Sequence, residues 1–189
     1  MNAIYVVLAV IAVVLFWGVG LYNSLIRTRQ HVKESWSAID TELKRRYDLI
    51  PNMLETVKGY ATHESETLEA VVQARNTAVA STGSPGQQAQ DENMLVGALR
   101  QLFAVVEAYP DLKANENFLN MQRELTVTED RIQAARRFYN ANVRTLNTKV
   151  EVFPSNMLAS MFGITQAEFF EVEDAAVREV PKVSFSNES

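Results

Sequence analysis

The chain opens with 26 residues that include no Asp, Glu, Lys, Arg or His, and the run from Ala3 to Tyr22 (AIYVVLAVIAVVLFWGVGLY) is apolar at almost every position. Twenty helical residues rising about 1.5 Å each reach about 30 Å, the thickness of bilayer hydrocarbon. Tyr5 near one end, and Trp17 and Tyr22 towards the other, suit the interfaces of such a span. From Val32 the pattern becomes periodic. Trp36, Ile39, Leu43, Tyr47, Ile50, Leu54, Val57, Ala61, Leu68 and Val71 recur at three-and-four spacing, which predicts helix with one buried face. Met94, Leu95, Ala98, Leu99, Leu102, Phe103 and Val106 predict a second amphipathic helix. Phe118, Met121, Leu125, Ile132, Ala135, Tyr139, Val143, Leu146 and Val150 predict the longest one, from Asn115 to about Glu151, stopped by Phe153 and Pro154. Residues 155–162 fit a short amphipathic helix.

The breaks decide the topology. Residues 81–90 (STGSPGQQAQ) read as a loop, and Tyr109, Pro110 and Asp111 as a helix stop. Pro51 admits two readings. The seam keeps its register through it, as in a kinked rod, yet a rod over residues 27–80 would be about 80 Å long and would leave much of its apolar stripe uncovered. A corner at residues 48–51, with Asp48 as N-cap and Pro51 in the first turn, lets four segments shield one another. The expected fold is therefore all-α: an N-terminal transmembrane helix followed by an antiparallel up-down four-helix bundle, with three long helices, the first kinked at Pro51, as the alternative. The expected domains are an anchor over 1–26, a cytoplasmic bundle over 27–164, and an acidic tail over 165–189 whose Phe169, Phe170, Val177, Val180, Val183 and Phe185 suit docking on the bundle.

Charge orients the anchor. Nothing basic precedes it, whereas Arg27, Arg29 and Lys33 follow closely, so the positive-inside rule puts the N-terminus outside and the bundle in the cytoplasm of a cell (inner) membrane. A cleaved signal peptide would need a basic start and a small-x-small cleavage site, and neither is present. The net charge of −5 lacks the basic balance that general nucleic-acid binding requires.

Candidate chemistry is sparse. Without cysteine there is no disulfide, thiolate nucleophile or cysteine-based metal site. His31 and His63 lack the second histidine of a zinc-protease helix and the Glu-x-x-His pairing of a di-iron bundle. Gly83, Ser84, Pro85 and Gly86 form neither a phosphate loop nor a nucleophile elbow. No enzyme, metal or cofactor is expected. Two clusters are candidate interaction sites: Lys44, Arg45 and Arg46, expected at a membrane-distal corner and pairing with carboxylates such as Glu42 and Asp48, and Arg137 with Phe138 on the long helix, beside core positions Ala135 and Tyr139.

The strings LYNSLIRTRQHVKESWSAID, ELKRRYDLIPNMLETVKGYATHE, ANENFLNMQREL, TEDRIQAARRFYNANV and LNTKVEVFPSN, with the ending FFEVEDAAVREVPKVSF, resemble the LemA proteins of bacteria over nearly the whole chain. The resemblance implies an N-terminal anchor and a helical bundle, and it implies no reaction. It also implies a link with a membrane-bound zinc metalloprotease of protein quality control, through association and not through any residue. The expected function is a non-enzymatic membrane scaffold that self-associates as a homo-oligomer, and the alternative is an adaptor for such a protease.

Overall fold

The computed structural model describes residues 2–171, and all regular structure among them is α-helix. The elements are α1 (Asn2–Lys58), α2 (Ser65–Ala80), α3 (Pro85–Val106), the single turn α4 (Pro110–Lys113), α5 (Glu116–Glu151) and α6 (Ser155–Met161).

The corner expected at residues 48–51 does not exist. α1 runs through Pro51 as helix, and the chain turns at residues 59–64 instead. The kinked rod to residue 80 fails at the same turn. Proline removes the amide that would bond the carbonyl of residue 47 and normally costs a helix interior about 3 kcal/mol. Here Arg75, on α2, donates Nε to the Tyr47 carbonyl at 2.8 Å. The acceptor left over by proline is therefore satisfied from outside the helix, and α1 continues to Lys58.

The expected loop at 81–90 also contracts, to residues 81–84. Ser84 caps α3 by accepting from the Gln87 amide at 3.5 Å, and Pro85 occupies the first helical position. Asn115 caps α5 in the same way, accepting from the Phe118 amide at 3.1 Å.

The long helices α1 and α5 lie antiparallel. Lys149 Nζ donates to Ser24 Oγ at 2.8 Å and to Thr28 Oγ1 at 2.7 Å, and Arg45 meets Glu124 at 2.9 Å, so positions rise along one helix as they fall along the other. The short loop makes α2 and α3 a hairpin. At the end of the bundle far from residue 22, Tyr109 donates to Glu64 at 3.0 Å and Asn115 to the Tyr60 hydroxyl at 3.0 Å.

Most of the seams are core: Ile39, Leu43, Ile50, Val57, Leu95, Leu102, Phe118, Val143 and Leu146 are buried. Met94 is not, because α3 turns the face of Gln88, Glu92, Leu95, Leu99, Leu102 and Val106 inward. The large side chains from Ile4 to Val19 have no protein cover, and Leu25 is the first fully buried residue. This stretch of α1 is long and apolar enough to cross a membrane. Val177, Val180, Val183 and Phe185 lie outside the described residues.

Candidate functional site

The most polar part of the interior is built on Arg46. This side chain, 1% exposed, stands in the last third of α1 and lies between two carboxylates: it donates to Glu129 of α5 at 2.7 Å and to the fully buried Glu92 of α3. The Tyr47 hydroxyl also donates to Glu92, and Gln88 Nε2 shares its two hydrogens among Glu92 Oε1 at 3.1 Å, the Tyr47 hydroxyl at 3.2 Å and the Ala78 carbonyl at 3.2 Å. Burial, and after it the charge of Glu92, pushes the Tyr47 phenol far above its ordinary range, so it remains a neutral donor.

Both oxygens of Glu92 accept hydrogen bonds, and its counter-charge is bonded on two sides. The adjoining cavity, lined among others by Arg46, Glu92, Arg100, Glu129 and Phe170, holds about 30 Å³, room for water and not for a substrate. The geometry registers α1 against α3, since sliding either leaves a buried charge unpaired, and the bond to Glu129 ties α5 to the same arginine.

A second polar set holds the segment that follows α6. Residues 164–171 run without regular structure along the bundle, fastened by two asparagines of α5. Asn147 accepts from the Ala167 amide at 2.9 Å and donates to its carbonyl at 3.0 Å; Asn140 does the same for Phe170 at 3.0 and 3.1 Å. Phe170 is fully buried, its ring centroid 5.4 Å from that of Trp36, which in turn lies 5.3 Å from that of Tyr139. The Tyr139 hydroxyl donates to the Glu168 carbonyl at 2.9 Å, and burial, with Glu168 nearby, raises its pKa to about 12. The Glu168 carboxylate in turn accepts from the Gly86 amide at 3.3 Å, at the positive N-terminal end of α3.

The expected basic cluster divides. Lys44 pairs with Asp40 at 3.1 Å and Arg45 with Glu124 at 2.9 Å, both exposed, while Arg46 is interior and unavailable to any partner. The expected pairings with Glu42 and Asp48 are not the ones formed, and because α1 has no corner there, the cluster is not at the end of the bundle. Arg137 and Phe138 are exposed side by side, Phe138 to 61%. Arg27 and Lys33 are exposed, Arg29 is half-buried, Ala3 is uncovered, and Tyr22 packs against Phe162 with the rings tilted. Among the described residues no group of three His, Cys, Asp or Glu is placed to hold a metal; His31 meets Glu34 at 3.3 Å.

Sequence reasoning passed over Glu92, Gln88 and Asn147, and placed Asn140 only in the cluster around Arg137 and Phe138, not as a tie to residues 164–171. Glu92 had a signal, since a carboxylate in line with Leu95, Leu99 and Leu102 on an apolar face calls for a buried partner. Asn140 and Asn147 had only their spacing of seven, two turns on one face.

The described residues thus define a class: an all-helical protein whose first helix extends beyond its bundle as an uncovered apolar stretch. The sequence model of the LemA family matches residues 35–185. Protein LemA of Metamycoplasma hominis is 31% identical over 168 residues, 87% of this chain and 75% of its own length. Magnetosome protein MamQ 2 of Paramagnetospirillum magneticum is 27% identical over 196 residues, 89% and 72% of the two chains. Magnetosome protein MamQ of Magnetospirillum gryphiswaldense is 24% identical over 179 residues, 82% and 66%. The chain belongs to the LemA family.

Proposed function

We propose that this protein is a non-enzymatic scaffold, anchored in the bacterial inner membrane by residues 3–22 with its N-terminus outside, whose cytoplasmic bundle self-associates. The observation that carries the reading is the bare stretch of α1: large apolar side chains from Ile4 to Val19 face no part of the protein, and the same unbroken helix then enters the core at Leu25. In water such a surface is strongly unfavourable, and a bilayer is the solvent that suits it. The exposed Arg27 and Lys33 support the cytoplasmic side for the bundle. Confinement to a plane raises the effective concentration of copies, so weak lateral contacts between bundles suffice for assembly.

Reporter fusions at the two ends test the orientation, and light scattering of the full chain in detergent over a wide concentration range tests assembly. A bundle found outside the cell membrane, or a folded protein that stays monomeric throughout, defeats the corresponding half of the proposal. The second reading, an adaptor for a membrane-bound zinc metalloprotease, is favoured by the exposed Phe138 beside Arg137, a pairing of apolar and cationic groups frequent in interfaces. Photocrosslinking from Phe138 in cells separates the two: capture of copies of this chain alone removes the adaptor.

A further inference from the structure

The end of the bundle beside Tyr22 has an unusual surface. From Val152 to Ala167 no side chain is charged. Within this stretch α6 is amphipathic: Ser155 and Ala159 are buried, while Met157 and Met161 are 62% and 74% exposed. Phe153 before the helix and Phe162 after it join the outer side, at 77% and 52%. Soluble surfaces scatter such residues singly, and a contiguous cluster marks a contact site.

Its position says with what. Phe162 packs on Tyr22 with the rings tilted and their centroids 4.5 Å apart, and Tyr22 ends the apolar run of α1. Leu25, where the core begins, is three residues or about 4.5 Å further along the helix. The patch is therefore continuous with the uncovered apolar stretch and level with its end. Cations flank it: Lys149 is bonded to Ser24 and Thr28, and Arg27 is exposed about one and a half turns beyond Tyr22.

We propose that α6 and its flanks form a second membrane contact, with Phe153, Met157, Met161 and Phe162 seated in the headgroup–acyl boundary of the leaflet from which α1 emerges. This rests on the anchored reading above. Interfacial elements of this kind combine an apolar face, aromatic residues and nearby cations for anionic headgroups. Two attachment points, α1 and α6, fix which way the bundle faces about the axis of α1.

The chain has no cysteine, so spin labels can be placed singly in the full-length protein by Met157→Cys and Met161→Cys, with Val13→Cys as reference in the apolar run and Lys58→Cys at the far end. The labelled proteins are reconstituted in phosphatidylcholine–phosphatidylglycerol vesicles and collision with oxygen and with a water-soluble nickel chelate is measured. The labels at 157 and 161 are expected to favour oxygen, as at 13, with nickel collision about fivefold or more below that at 58, as fits a side chain in the interfacial region. If 13 is lipid-buried while 157 and 161 are as open to nickel as 58, the second contact is overturned and the anchor stands. If 13 itself is open to nickel, the anchored reading fails and this one with it. Low access to both reagents at 157 and 161, with spin–spin broadening that grows with protein-to-lipid ratio, assigns the patch to a second copy and also overturns the proposal.

Discussion

Arg75 and Tyr47, 28 positions apart, are joined by a side-chain donor on a backbone acceptor at 2.8 Å. The bond matters because Pro51, one turn on, has no amide for that carbonyl. Arg75→Met is expected to destabilise the full chain by about 1–3 kcal/mol, the cost of stranding a buried acceptor. In a Pro51→Ala background the helix regains its own donor, and the same Arg75→Met change should cost at least about 1 kcal/mol less, a coupling between sites that share one acceptor. Denaturant titrations of the four proteins in detergent measure it; strict additivity would refute the compensation.

The Arg46, Glu92 and Glu129 set predicts an asymmetry between single and paired changes. Arg46→Met leaves Glu92 buried with neutral donors only and should cost about 3–5 kcal/mol. Adding Glu92→Leu removes the stranded charge and should recover a substantial part of the loss. Thermal melts followed by circular dichroism decide this, and a double variant no better than the single one would contradict it.

The fastening of residues 164–171 is testable amide by amide. Asn147→Ala should speed hydrogen exchange at Ala167, and Asn140→Ala at Phe170, each by about tenfold if a bond worth about 1–1.5 kcal/mol is lost from local opening. Peptide-resolved exchange measured by mass spectrometry should show the two effects separately. Equal acceleration across α5 in either variant would mean that the asparagines support the whole bundle instead.

Alkaline pH should weaken the fold through Tyr139. Its phenol is raised from 10.0 to about 12 in the folded chain, by burial first and Glu168 second, so the folded state holds the proton more tightly than the unfolded chain does. The stability from the neutral phenol is complete below about pH 10 and is lost as pH climbs towards about 12. Tyr47 is shifted in the same direction and adds to the loss. Tyr139→Phe should lower stability slightly at neutral pH, by removing the bond to the Glu168 carbonyl, yet make it fall less steeply above pH 10. An unchanged slope would show that Tyr139 is not the group responsible.

Helix content, the apolar run and most of the core were legible because three-and-four spacing reports a buried face directly: Ile39, Leu43, Leu102 and Val143 needed no tertiary information. The corner at Pro51 was not legible, since what keeps α1 intact is a side chain on another helix, and local propensity contains no term for Arg75. Residues 85–90 misled for a different reason. Ser84-Pro85 is as good a helix start as a turn, and the cap rule that applied at Asn115 applied there too. Arg46 read as a surface cation among Lys44 and Arg45 because its partners, Glu92 and Glu129, are 46 and 83 positions away.

The unbroken path of α1 has a mechanical consequence. From Tyr22 to Lys58 the helix extends about 54 Å without a joint, so a change of about 10° in its inclination at Tyr22 would sweep the opposite end through roughly 9 Å. With α5 and the α2–α3 hairpin packed against it, any tilt imposed at Tyr22 would reach the residue 59–64 turn as a displacement of the bundle as a whole.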